Sequence, residues 1–120
     1  MNTVKIGKHY RGLAPRGIVQ LVAPSDNTDG LIIQTASINP ANGFVNLYAS
    51  VTAPASIGDM NTPMIFNGNG NSATGVNSQV LLPHPLFVPA GMGLWVTSGI
   101  WGTGGGTSSG TLVITWDFFA

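Results

Sequence analysis

Four cations, Lys5, Lys8, Arg11 and Arg16, fall within the first sixteen residues, and no acid lies among them. Clustered in this way they can dock on an anionic surface, either acidic protein or phosphate. Beyond Arg16 the chain has no Lys or Arg and carries all four acids, Asp26, Asp29, Asp59 and Asp117. It therefore reads as a basic arm, residues 1–16, joined to an acidic body, residues 17–120, with zero net formal charge. Four cations make a small phosphate footprint, which disfavours nucleic acid as the partner. Two readings stay open: an arm that docks on an acidic neighbour, such as the body of another copy, or a solvated terminus that only aids solubility.

The remaining inventory argues against catalysis. An active site needs convergent acids, bases or nucleophiles, and the chain has two histidines, no glutamate and no cysteine. His84 sits between two prolines in "LPHPL", an extended context that reads as an exposed turn. His9 lies in the arm with no second histidine close in sequence, so no metal site is expected. "SDNTDG", residues 25–30, supplies oxygen ligands in Asp26, Asn27 and Asp29 but lacks the terminal glutamate of a calcium loop, and reads as an Asx-type turn. "GTSSG" has no strand-to-helix context for a nucleophile, and no lysine follows the glycine clusters to hold phosphate. No enzyme activity and no cofactor are expected, and the absence of cysteine excludes disulfides and thiolate metal sites.

Of the three tryptophans, Trp95 and Trp116 lie within apolar runs and read as packing residues. Trp101 opens a glycine-rich loop and is the one candidate for ligand contact, with stacking on a sugar ring as the chemistry open to it.

These residues must be positioned by strands. Eight prolines and seventeen glycines are spread along the chain and good helix formers are scarce. Short β-rich runs recur between turn formers: "GIVQLVA", "LIIQTASI", "FVNLYASVT", "MIF", "QVLL", "PLFV", "GLWV" and "TLVITWDFF". "NPANG" separates the second run from the third, a possible strand at residues 4–6 begins the chain, and "VPAGM" reads as the turn of a hairpin joining "PLFV" to "GLWV". Residues 67–78 and 102–110 read as long glycine-rich loops.

Alternation assigns faces. Val45, Leu47, Ala49 and Val51 are expected inside, with Phe44, Asn46, Tyr48 and Ser50 outside. In the last strand Leu112, Ile114, Trp116 and Phe118 are expected inside. Asp117 then interrupts the outer face and is a candidate contact for the basic arm or for a partner. The fold class is all-β: an antiparallel β-sandwich, a jelly roll of about eight strands with an extended N-terminal arm.

Only 7% of residues are charged, against about 25% in ordinary globular proteins. A freely diffusing chain with so few charges tends to self-associate. No apolar run approaches the roughly 20 residues of a membrane helix, and the leading residues lack the apolar core of a secretory signal.

The stretches "LIIQTASINPANGFVNLYAS", "PLFVPAGMGLWVTSG" and "GTLVITWDFF" resemble the small all-β, jelly-roll-like structural proteins of tailed bacteriophage particles, over about two-thirds of the chain. The resemblance implies a non-enzymatic virion component, assembled in the host cytoplasm as a homo-oligomer, with a trimer favoured, among other capsid or tail subunits. Within such a particle the short chain, without shaft or repeat segments, suits capsid decoration or cementing. A tail or baseplate module binding host surface glycans is the alternative.

Overall fold

In a computed structural model, which describes residues 5–71, 76–77, 79–100 and 108–119, the β-rich runs form nine antiparallel strands and no α-helix. They are β1 (His9–Leu13), β2 (Gly17–Val22), β3 (Leu31–Ser50), β4 (Met64–Asn71), β5 (Val76–Asn77), β6 (Val80–Leu81), β7 (Leu86–Val88), β8 (Gly93–Gly99) and β9 (Ser109–Phe118). All belong to one curled sheet organised by the 20-residue β3. The first half of β3 pairs with β9 on one side, and with β6 and β7 on the other. Its second half pairs with β8 and β4. One limb is therefore ordered β1–β9–β3 with β6 and β7 at its far side, and the other β2–β8–β3–β4–β5.

The curl lets two inner faces share a core. Leu31, Ile33, Ile38, Leu112, Ile114 and Trp116 enter it from the first limb, and Val22, Val45, Leu47, Leu94 and Val96 from the second. Each such side chain contributes about 1.5–3 kcal/mol by leaving water. On β9, Leu112, Ile114 and Trp116 are buried as alternation predicts, Phe118 is partly buried and Val113 is exposed, while the outer-face Thr115 is buried where Gly7 meets it.

Four local expectations are corrected. "NPANG" is not a turn between strands; β3 passes through it with a register shift between Pro40 and Asn42 and bends at Gly43, whose φ of +86° favours glycine. Asn67–Gly70, expected in a loop, extends β4, and glycine at position 70 is required because a Cβ there would lie 2.5 Å from the Pro40 carbonyl oxygen. β7 and β8 do not form a hairpin: β7 pairs with the first half of β3, and β8 with β2 and the second half. Pro89 opens the intervening turn; its carbonyl accepts from Met92 N–H at 3.3 Å, with Gly91 at φ +85°. This corner carries the chain from one limb to the other. Finally, Phe44, Asn46, Tyr48 and Ser50 are not at the surface, because residues 51–63 cover them, whereas Val51 is exposed.

The first strand lies at His9–Leu13 rather than 4–6; Ile6 is outside it, and Val4 lies outside the described residues, as do parts of the loops 67–78 and 102–110. Among the described residues no helix is long and apolar enough to cross a membrane.

Candidate interaction surface

The basic segment runs onto its own body. Gly7 N–H donates to Thr115 Oγ1 at 2.9 Å, and Lys8 N–H donates to Asp117 Oδ1 at 2.7 Å. Gly7 can approach so closely because it lacks a side chain: a Cβ there would fall 2.5 Å from Trp116 N. β1 then pairs along β9 from His9↔Trp116 to Leu13↔Leu112. His9 stacks on Trp116, with ring centroids 5.7 Å apart, and meets the edge of Phe118 at 5.0 Å. The imidazole thus closes the aromatic end of the core.

Asp117 gathers the segment. Besides Lys8 N–H, its carboxylate accepts from Gln34 Nε2 at 3.1 Å and lies 3.5 Å from Lys5 Nζ. Gln34 reaches it because β3 shifts register between Ile33 and Thr35, turning an extra side chain to the outer face. The Lys8 N–H lowers the Asp117 pKa most; partial desolvation opposes it, and Gln34 and Lys5 add to the lowering. Lys5 is 69% exposed, so the ion pair itself adds little stability.

The register also defines the outer face of this limb. One row across it runs Asp117–Ile32–Phe87, the next Tyr10–Thr115–Thr35, and the next Gly12–Val113–Ser37–Leu81. The middle row is polar and self-satisfied, with Thr35 and Thr115 hydroxyls 2.6 Å apart. Large apolar side chains stand on either side. Leu81 is 65% exposed, Phe87 54% and Phe119 46%, with the Phe87 and Phe119 rings in contact, and Tyr10, at the β1 end of the middle row, is 63% exposed. No segment among the described residues covers them.

Of the residues singled out in the sequence, Lys5, Lys8 and Asp117 come together. Arg11 is exposed on β1, and Arg16 is exposed at the opposite end of the limb, beside an open groove of about 290 Å³ lined by Pro15, Asn39 and Ser109. Trp101 lies outside the described residues. Trp95 and Trp116 are buried. Among the described residues no three His or Asp side chains are grouped to hold a metal.

Sequence reasoning missed two residues that organise the fold. Asn27 is fully buried: its Nδ2 donates to the carbonyls of Pro89 and Met92 at 2.8 and 3.0 Å, and its own carbonyl accepts from Gly91 N–H. "SDNT" signals a turn but not this tertiary clasp. Asp59 was equally inconspicuous, although it organises residues 51–63 by accepting from Ala55 N–H, Asn61 N–H and the Thr62 hydroxyl. Its Asx turn to Asn61 was the readable signal. No family model matches the chain, and neither a curated protein nor a solved structure matches it.

Proposed function

We propose that this chain is a non-enzymatic structural component of a bacteriophage particle, working as a homo-oligomer that decorates or cements a capsid. The observation that carries the reading is the open outer face of the β1–β9–β3 limb, where Tyr10, Leu81, Phe87 and Phe119 stand in water beside a basic edge. Exposed apolar groups of this size, in a chain with 7% charged residues, favour a surface that companion subunits cover. Two limbs packed over one core support a jelly-roll-like β-sandwich of about eight principal strands, the architecture that the sequence resemblance implies. Fold alone does not fix function, so the assignment rests on the surface.

Quantitative mass spectrometry of purified particles tests it. A copy number that follows capsid symmetry is expected. Absence from particles, or only a few ring-sized multiples, would contradict a capsid-decorating role.

A further inference from the structure

The first limb ends in two edges of opposite charge. Among the described residues β1 is one edge and pairs only with β9; β6 and β7 form the other, and each pairs only with β3. At the β1 edge Lys8 and Arg11 are exposed, with Arg16 exposed shortly beyond. Asp117, the nearest acid, is already engaged by Lys8 N–H, Gln34 and Lys5. Among the described residues neither guanidinium has a partner in its own chain.

The β7 edge carries the acids. Asn27 clamps residues 24–30 to the corner after β7, through the carbonyls of Pro89 and Met92 and the Gly91 N–H. Gly30 packs against Phe87, since a Cβ there would lie 2.8 Å from the ring. Exposed Asp29, next to Gly30, is therefore held close to exposed Phe87, exposed Asp26 flanks Asn27 at the corner after β7, and neither carboxylate has a partner among the described residues. Pro83, Pro85 and Pro89 lack N–H groups and blunt this edge against strand addition, so contact here is made by side chains.

Three strand spacings, about 15 Å, separate the two edges, and they face opposite ways. A single chain cannot join them, but two copies can. We propose that the basic β1 edge of one copy, through Arg11 and Arg16, docks on the acidic Asp26–Asp29 edge of the next. The contact is heterologous, so repeating it closes a ring if the rotation between copies permits. The proposal rests on the oligomeric reading above and names the two surfaces that meet.

Charge exchange tests it on the full chain. R11E/R16E makes the β1 edge acidic; D26K/D29K makes the opposite edge basic. All four positions are exposed, and circular dichroism should show unchanged β structure in both variants. Light scattering after size exclusion is expected to show an oligomer for the wild type, monomers for each variant alone, and restored association when the two are mixed, in alternating assemblies with an even number of copies, since only contacts between unlike variants are complementary. Raising the salt should weaken all of these assemblies. A wild-type oligomer with either variant assembling equally well overturns the proposed edges while leaving the oligomeric reading intact. A wild type that stays monomeric to about 100 µM, where a micromolar contact would be nearly saturated, overturns both.

Discussion

The two outer faces of the curled sheet are finished differently. Behind the second limb, residues 51–63 fold over Phe44, Asn46, Tyr48 and Thr97, and all four are buried. The Tyr48 hydroxyl donates to the Asp59 carbonyl at 2.8 Å, and the Asp59 carboxylate ties the covering segment together. Behind the first limb nothing comparable is present among the described residues, and Tyr10, Leu81, Phe87 and Phe119 remain in water. A chain able to cover one face with a short segment leaves the other open, next to edges of opposite charge. The covered face serves stability within one molecule; on the function proposed above, the open face serves association.

Substitutions should separate these roles, and the largest effect belongs to the covered face. Tyr48→Ala removes a fully buried aromatic and should cost about 3–5 kcal/mol in urea unfolding. Its hydroxyl accounts for a smaller part, so Tyr48→Phe should cost about 1–2 kcal/mol. A loss of less than 1 kcal/mol for the alanine variant would show that the covering segment does not hold this face. Gly58 comes next. With φ at +76°, and a Cβ that would lie 2.9 Å from the Phe44 ring, Gly58→Ala should lose about 1–2 kcal/mol.

On the open face Phe87→Ala should change monomer stability by less than about 1 kcal/mol. The same variant should weaken self-association roughly tenfold, as loss of an interfacial aromatic does. Equal effects on stability in the two regions would erase the distinction.

Acid gives the mildest test. Asp59 is held below the ordinary carboxylate range chiefly by the Thr62 hydroxyl, with Asn61 and Ala55 N–H groups adding, and Asp117 chiefly by Lys8 N–H. Depressed values in the folded state give stability that is present above the unfolded value and is lost as pH falls through the folded one. The urea midpoint should therefore fall on acidification below about pH 4, and Asp59→Asn should flatten that fall. An unchanged profile would mean that neither carboxylate matters to folding.

Much of this was legible in the residues. The alternation of Leu112, Ile114 and Trp116 named a core face because one side of β9 meets the core and the other meets water. The same logic failed for Phe44, Asn46 and Tyr48, because a strand covered on both faces loses its polar signature, and the covering segment comes later in the chain. The hairpin expected around Pro89 failed for a related reason. Turn chemistry fixes a corner, but whether the flanking strands pair with each other is decided by long-range partners, here β3 for both. Lys5, Lys8 and Asp117 were each visible as candidates. Their meeting depended on Gly7 passing within van der Waals contact of β9, and on the register shift that brings Gln34 beside them, and neither is written in local sequence.

The arm also alters how its role is best probed. Deleting residues 1–16 would remove β1 and uncover Trp116 and Leu112, so lost assembly could reflect lost folding. Point substitutions at exposed cations avoid that ambiguity.

Hydroxyl-radical footprinting of the full chain, from dilute to concentrated solution, examines the open face against its covered counterpart in one experiment. Tyr10, Leu81, Phe87 and Phe119 should lose labelling as concentration rises, while Val51, Ile57 and Met60, exposed on and beside the covering segment, keep theirs. Protection that appears at Val51, Ile57 and Met60 instead, or at neither group in an assembled sample, would contradict the account.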